Sequence, residues 1–136
     1  MGLRNRESDV LSACLQWLTL MRVWHWRQNQ GAIPLKNGGF RRFVGLRGLP
    51  DILAVLPREF DVVGQGRCKF AVLVGIEVKR PGEKPRPEQR AFLQQLDSMG
   101  GVGLCVHSVA ELEEKLRPFL PGRPPGRLLD GPREAA

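Results

Sequence analysis

An apolar run from Phe70 to Ile76 is followed directly by Glu77-Val78-Lys79. A short run of this kind, bounded by turn residues, is typical of a buried β-strand. Side chains alternate along a strand, so Glu77 and Lys79 share one face while Ile76 and Val78 point to the other. Because charged side chains are rarely buried without a partner or a function, this strand end is a candidate site.

A second apolar stretch lies upstream and contains Pro50-Asp51 at its start. The pattern predicts strands over 49–56 and 69–79, joined by a turn over 57–67 that contains two glycines. If the two strands pair as an antiparallel hairpin, Asp51 at the start of one and Glu77 at the end of the other reach the same edge of the sheet.

Hydrophobic periodicity and capping signals predict the remaining elements. Helices are expected over 5–22 with Asn5 as N-cap, from Pro87 to the Gly100-Gly101 pair, and over 109–117 with a Ser108/Glu111 capping box; strands are expected over 24–29 and 102–107, and a Gly- and Arg-rich loop over 31–48. The resulting order, α-β-β-β-α-β-α, predicts an α/β fold with a mixed central sheet flanked by helices.

The length of 136 residues predicts one domain, which we place at 1–117, followed by a Pro/Gly/Arg-rich tail at 118–136. The net charge of +7 favours a nucleic acid or an anionic membrane as partner, and the preponderance of arginine, whose planar fork matches phosphate, favours nucleic acid. No apolar run approaches the roughly 20 residues that span a bilayer, so no membrane is expected. The three cysteines are far apart, which argues against zinc and for a reducing, cytoplasmic location.

Two carboxylates and a lysine at one sheet edge suit the metal-dependent hydrolysis of a phosphodiester. Mg²⁺ or Mn²⁺ prefers oxygen ligands and keeps several water positions open. Asp51, Glu77 and the backbone carbonyl of Val78 are the predicted metal ligands, and Lys79 is predicted to orient the attacking water or help deprotonate it. No small-molecule cofactor is expected.

Two further polar residues lie on inward helical faces. Glu7 can supply another carboxylate, directly or through water, or it can simply be a first-turn acid that favours the helix dipole. Gln89 can hold a water or the scissile phosphate, or it can be an ordinary polar residue at a helix start. Asp51 after Pro50, taken alone, also fits turn chemistry.

The ordered set Glu7, Gly48-Leu49-Pro50-Asp51, Ile76-Glu77-Val78-Lys79 and Gln89 resembles the virus-type replication-repair nuclease (VRR-Nuc) domain of the PD-(D/E)xK nuclease superfamily. The resemblance covers roughly residues 5–117. It implies a restriction-endonuclease-like αβββαβ core, Mg²⁺- or Mn²⁺-dependent DNA cleavage, and catalytic roles for the five side chains of the set. Stand-alone members of this size are similar to archaeal Holliday junction resolvases and act as homodimers on four-way junctions. The resemblance thus implies a role in DNA repair and recombination, in the cytoplasm of a prokaryotic or phage-infected cell.

Basic residues near the motifs are the predicted DNA contacts: Lys36, Arg41, Arg42, Arg47, Arg80 and Lys84. The alternative for the loop members is an ordinary solvated surface. Phe40 and Phe43 could stack on bases or pack in the protein, whereas Trp24 and Trp26 are expected in the core or at an interface. His25 and His107 are isolated and are expected to be structural.

The sequence thus predicts a homodimeric, structure-selective DNA endonuclease that acts on branched DNA, specifically four-way junctions. A dimer would place one site on each of two strands, as symmetric resolution requires. Two alternatives stay open at this point. One is a nuclease for flaps, nicks or duplex DNA, and the other is a non-catalytic DNA-binding module on the same fold.

Overall fold

The computed structural model describes residues 6–28, 32–42 and 46–120. In chain order the elements are α1 (Glu7–Leu20), β1 (Trp24–Arg27), β2 (Ala32–Pro34), β3 (Phe40–Arg42), β4 (Ile52–Val62), β5 (Gly66–Val78), α2 (Pro87–Ser98), β6 (Val102–Val106), α3 (Val109–Leu116) and a 3₁₀ turn (Arg117–Phe119).

Four of the strands form one mixed sheet in the order β1-β4-β5-β6. Strand β4 pairs antiparallel with both β1 and β5, whereas β5 and β6 are parallel. The parallel pair is possible because α2 supplies the crossover connection between its strands. This α/β arrangement, with helices on both sides, is compatible with a restriction-endonuclease-like core.

Helices α1 and α3 cover one face of the sheet. Val10, Leu11, Cys14 and Leu18 recur at helical spacing, are buried and form the inward stripe of α1. They pack against the apolar side chains that alternate along β4 and β5 and against α3. This face therefore contains the main hydrophobic core.

Helix α2 covers part of the opposite face, over β5 and β6. It begins at Pro87, where the missing N–H is not needed, and it ends where Gly100 adopts a φ of +90°. Close packing is possible because the sheet has glycines beneath the helix. A Cβ on Gly103 would lie 2.4 Å from the Leu93 carbonyl oxygen, and one on Gly75 would lie 3.2 Å from a Leu96 methyl carbon.

The β4–β5 hairpin is longer than the sequence predicted. The segment 57–67 was expected to be a turn, but most of it continues the two strands, and the reversal occupies only 63–65. Cross-strand pairs account for the extension: Phe60 and Phe70 lie 5.4 Å apart between ring centroids, and Arg67 Nε is 3.2 Å from Glu59 Oε2.

The prediction of a loop over 31–48 was also wrong in part. Strands β2 and β3 form a separate two-stranded antiparallel hairpin within it. The predicted cap Asn5 and the aromatic Phe43 lie outside the described residues. Arg6 is the N-cap of α1, and its backbone N–H donates to Asp9 Oδ2 at 3.2 Å.

The end of the described chain packs against the core. Ser108 Oγ accepts from the Glu111 N–H at 3.1 Å and caps α3 as expected, but Glu111 Oε2 accepts from the backbone of His107 rather than from that of Ser108. After α3, Leu120 is only 6% exposed. The predicted tail therefore begins within packed structure, and its residues 121–136 lie outside the described part. No helix in that described part is both long and apolar enough to cross a membrane.

Candidate active site

The hairpin register brings the two predicted carboxylates to one end of the sheet. Ile52 pairs with Ile76, and the next residue outward on each strand is Asp51 and Glu77, respectively. The Val78 N–H donates to Asp51 Oδ2 at 2.8 Å, which holds the first carboxylate against the second strand. The expectation of a shared edge is therefore confirmed, and both carboxylates belong to the sheet face on which α2 lies.

Glu77 is almost completely buried, with 1% of its surface exposed. Its Oε1 accepts from Lys79 Nζ, 3.2 Å away, and from Gln89 Nε2, 2.8 Å away. Its Oε2 is buried and has no hydrogen-bond partner among the described residues. An unsatisfied buried carboxylate oxygen is costly, and such groups in native proteins usually indicate a ligand, an ion or a functional role.

The environment of Glu77 disfavours its ionised form. Burial raises its pKa, the negative charge of Asp51 raises it further, and Lys79 lowers it only in part, so that the pKa is about 7. Two carboxylates at close quarters with a single ammonium group are short of positive charge. Perturbation of this kind is typical of functional sites.

Gln89 links this group to α2. Its Nε2 donates to Glu77, while its Oε1 accepts from the Arg86 N–H at 2.8 Å and so caps the helix start. The amide is therefore held in one orientation by two fixed partners. The structure thus brings Gln89 together with Asp51, Glu77 and Lys79, as the sequence predicted.

The Gly-x-Pro-Asp segment sets the distance between α2 and the carboxylates. Gly48 has a φ of +79°, and a Cβ there would lie 2.2 Å from the Glu88 carbonyl oxygen. Only glycine allows this approach. Pro50 is fully buried and its Cγ lies 3.0 Å from the position of a Cβ on Gly75. These contacts place Asp51 beside the helix start that presents Gln89.

The donor set fits a hard divalent cation. The orphaned Glu77 Oε2 and the Asp51 carboxylate are oxygen ligands of the kind that Mg²⁺ and Mn²⁺ prefer, and the Val78 carbonyl follows Glu77 directly in the chain. No group of three or more His, Cys, Asp or Glu side chains suited to a metal occurs within the described ranges. Mg²⁺ commonly binds one or two carboxylates and keeps several waters, so two carboxylates are sufficient.

Glu7 is not joined to this group by any described contact. It is half-buried in the first turn of α1, which packs on the opposite face of the sheet, and it has neither a hydrogen bond nor an ion pair with Asp51 or Glu77. Its catalytic role remains a prediction from the resemblance.

The predicted DNA contacts are exposed wherever the structure describes their side chains, namely at Lys36, Arg47, Arg80 and Lys84. Arg80 Nε is 3.0 Å from Glu83 Oε1 in an exposed ion pair. The side chains of Arg41 and Arg42 lie outside the description, although their backbone belongs to β3. Sequence reasoning missed the backbone of Arg86, the N-cap of α2, whose N–H donates to Gln89 Oε1; its position directly before Pro87 was the available signal.

Both histidines have structural partners. His25 Nδ1 lies 2.7 Å from the Val23 carbonyl oxygen. His107 contacts Glu111 Oε2 through Nδ1 at 3.0 Å and the Glu83 carbonyl oxygen through Nε2 at 2.8 Å. The second arrangement ties the β5–α2 connection to α3, and neither ring lies among the site carboxylates.

Comparisons of the chain with protein-family models, with curated proteins and with solved structures found no match. The functional argument therefore depends on the site geometry and on the motif resemblance.

Proposed function

We propose that this protein is a metal-dependent DNA endonuclease with a restriction-endonuclease-like αβββαβ core, similar to the VRR-Nuc domain. The observation that carries the proposal is the pairing of Asp51 with the buried Glu77, in which Glu77 Oε2 lacks a partner among the described residues while Oε1 contacts Lys79 and Gln89. A structural ion pair alone would not require the second carboxylate or the unsatisfied oxygen.

The proposed reaction is hydrolysis of a phosphodiester. A water oxygen bonds to phosphorus and the water gives up one proton to solvent, one ester P–O bond breaks, and the leaving alkoxide takes up one proton from solvent. A bound Mg²⁺ or Mn²⁺ would supply positive charge for the phosphate and would lower the pKa of water. Asp51 and Glu77 would hold this ion, Lys79 Nζ orients the attacking water, and Gln89 keeps the Glu77 carboxylate in position.

The preferred substrate in this proposal is branched DNA, specifically a four-way junction cut by a homodimer. The net charge of +7 and the exposed cations near the site favour phosphate contacts, which predicts binding that weakens steeply with salt. The dimer follows from the resemblance and from the need for two cuts on two strands.

The experiment incubates end-labelled four-way junction, flap and duplex DNA with the protein and Mg²⁺ or Mn²⁺. We expect cleavage by wild type, loss of at least about 100-fold in rate with Glu77→Ala or Lys79→Ala, and unchanged rates with the control Glu59→Gln, an exposed carboxylate on β4. Binding without cleavage under every condition would refute the enzyme and favour the non-catalytic module. Cleavage of flaps with junctions left intact would refute only the resolvase assignment, and sedimentation of a monomer at micromolar concentration would refute the dimer.

A further inference from the structure

The helices of the described residues leave half of the sheet face that carries the candidate site uncovered. Helix α2 covers β5 and β6, whereas no helix of the described ranges covers the same face over β1 and the adjoining part of β4. Trp24 is 72% exposed there, and Trp26 and Leu73 are 38% and 37% exposed. The tryptophans were expected either in the core or at an interface. For Trp24 the core is excluded, because so exposed a side chain does not stabilise the fold by burial.

A groove of about 460 Å³ lies beside Trp24 on this face. Val55, Pro57 and Ala71 contribute apolar surface, while Arg22 and Lys69 contribute positive charge. No acidic side chain lines the groove, and neither cation forms an ion pair within the described residues. The surface therefore combines an exposed aromatic ring, an apolar floor and two cations that form no ion pair among the described residues, although Glu59 is the cross-strand partner of Lys69; we call it the Trp24 groove.

The strand register connects the Trp24 groove to the candidate site. Trp24 pairs with Val55 and Trp26 with Leu53, only two residues from Asp51. At about 3.3 Å per residue, the four steps along the strand from Asp51 to Val55 span roughly 13 Å, the length of about four stacked nucleotides. Trp26 Nε1 donates to Gln28 Oε1 at 3.3 Å, and the Gln28 N–H donates to the Asp51 carbonyl oxygen at 2.8 Å, so contacts are continuous along this path.

We propose that the Trp24 groove binds single-stranded DNA, the strand that continues from the scissile phosphate. Bases stack on Trp24 and Trp26, whose ring centroids lie 5.9 Å apart at an interplanar angle of 58°, while Arg22 and Lys69 contact phosphates. Aromatic platforms combined with cations along a groove are the general means of binding single strands. The link to the scissile phosphate depends on the proposed nuclease function; the binding of a single strand does not.

Charge distinguishes this occupant from a second copy of the chain. In a two-fold contact the same patch meets itself, so Arg22 and Lys69 of one copy would face the same two cations of the other copy, and no acidic residue lines the groove to offset them. A polyanion meets no such repulsion. A single strand also exposes base faces for stacking, which a continuous duplex does not.

The test measures binding of a fluorescein-labelled deoxythymidine 12-mer by anisotropy, in chelator so that no cleavage can occur. Trp24→Ala should weaken binding roughly 5- to 150-fold, the range for losing one stacked base, and Trp24→Phe should restore part of the affinity. Leu20→Ala, which truncates an equally exposed apolar side chain on α1, should have no effect. Circular dichroism and thermal unfolding confirm that each variant is folded.

Charge contacts are tested with a matched pair. Lys69→Ala should weaken binding and reduce the salt slope by about one, whereas Arg117→Ala removes the same charge from the far side and should change neither. If Trp24→Ala binds the 12-mer as tightly as wild type does, the proposal is overturned. So would a change from dimer to monomer on Trp24→Ala without any loss of single-strand binding, because the face would then be a self-association surface.

The proposal that the Trp24 groove binds single-stranded DNA and the proposal that the protein is a nuclease can be refuted separately. Wild type that cleaves branched DNA but does not bind the 12-mer would overturn the groove and leave the nuclease standing. Binding of the 12-mer through Trp24 with no cleavage of any DNA would support the groove and overturn the nuclease. Slower cleavage of substrates with single-stranded arms by Trp24→Ala, with duplex cleavage unchanged, would support both.

Discussion

The buried Glu77 carboxylate predicts an unusual pH dependence of stability, which the isosteric variant Glu77→Gln should abolish. Burial and Asp51 raise the pKa of Glu77 from 4.5 in the unfolded chain to about 7 in the folded protein. Between these values the folded state retains a proton that the unfolded state has lost. The contribution of protonated Glu77 to the free energy of unfolding is thus fully present below pH 4.5 and is lost as the pH rises through 7.

The magnitude follows from the size of the shift. About 2.5 units at 1.36 kcal/mol each corresponds to about 3 kcal/mol of stability that the metal-free wild type lacks above pH 7. The amide introduced by Glu77→Gln cannot ionise, and its oxygen can still accept from Lys79 and Gln89. We therefore expect the variant to match wild type near pH 4.5 and to exceed its free energy of unfolding by up to about 3 kcal/mol at pH 8.

Urea unfolding at several pH values in chelator measures this difference. The control Glu59→Gln changes an exposed carboxylate on β4 and should show a constant difference from wild type across the range. A stability difference between Glu77→Gln and wild type that does not grow with pH would refute the reasoning.

Metal addition supplies the complementary measurement. Mn²⁺ that binds the ionised pair should stabilise wild type according to its concentration relative to the dissociation constant, and more strongly at pH 8 than at pH 6. The same Mn²⁺ concentration should stabilise Glu77→Gln much less than it stabilises wild type. If saturating Mn²⁺ or Mg²⁺ leaves the unfolding of wild type unchanged, the carboxylate pair is not a metal site.

Three further predictions concern the surroundings of the site. Gly48→Ala should lower the free energy of unfolding by about 2 kcal/mol and slow cleavage, because the new Cβ would meet the Glu88 carbonyl. The control Gly64→Ala has the same φ of +79° but lies in open space, so it should cost only about 1 kcal/mol and leave cleavage unchanged. Urea unfolding and nuclease assays of both variants measure these effects. Gln89→Leu should cost about 1–2 kcal/mol and raise the metal concentration needed for half-maximal cleavage, since it removes a donor to Glu77 and a helix cap; an unchanged metal titration would contradict this role. Partial burial raises the pKa of Glu111, but hydrogen bonds from Lys115 and His107 outweigh that effect and lower the pKa to about 2. Wild type should therefore lose stability as the pH falls from 4.5 to 2. Glu111→Gln should not show this loss in acid titrations followed by circular dichroism.

The grouping of Asp51, Glu77 and Lys79 could be predicted from sequence because it depends on local rules. A hairpin has only one way to bring the start of its first strand to the end of its second, and strict alternation decides which side chains share a face. Both ends of α2 were equally predictable, since Pro87 is a strong signal for its start and the Gly100-Gly101 pair for its end. The extent of the hairpin was not, because residues 57–62 have mixed polarity and their pairing depends on partners in the opposite strand.

Asp51, Glu77 and Lys79 could be grouped at the end of the β4–β5 hairpin from the amino-acid sequence, because strand alternation and hairpin pairing follow from local patterns. The burial of Glu77 depends instead on the packing of the folded chain, as do the lack of a partner for one of its oxygens among the described residues and the contact of Gln89 with the other. The same packing also decided that Trp24 stands exposed beside a cationic groove. Gly75 and Gly103 allow α2 to pack closely over β5 and β6, and in that position no helix of the described segments covers the other half of the same face. Such lateral placement depends on the packing of distant segments, which no local pattern encodes.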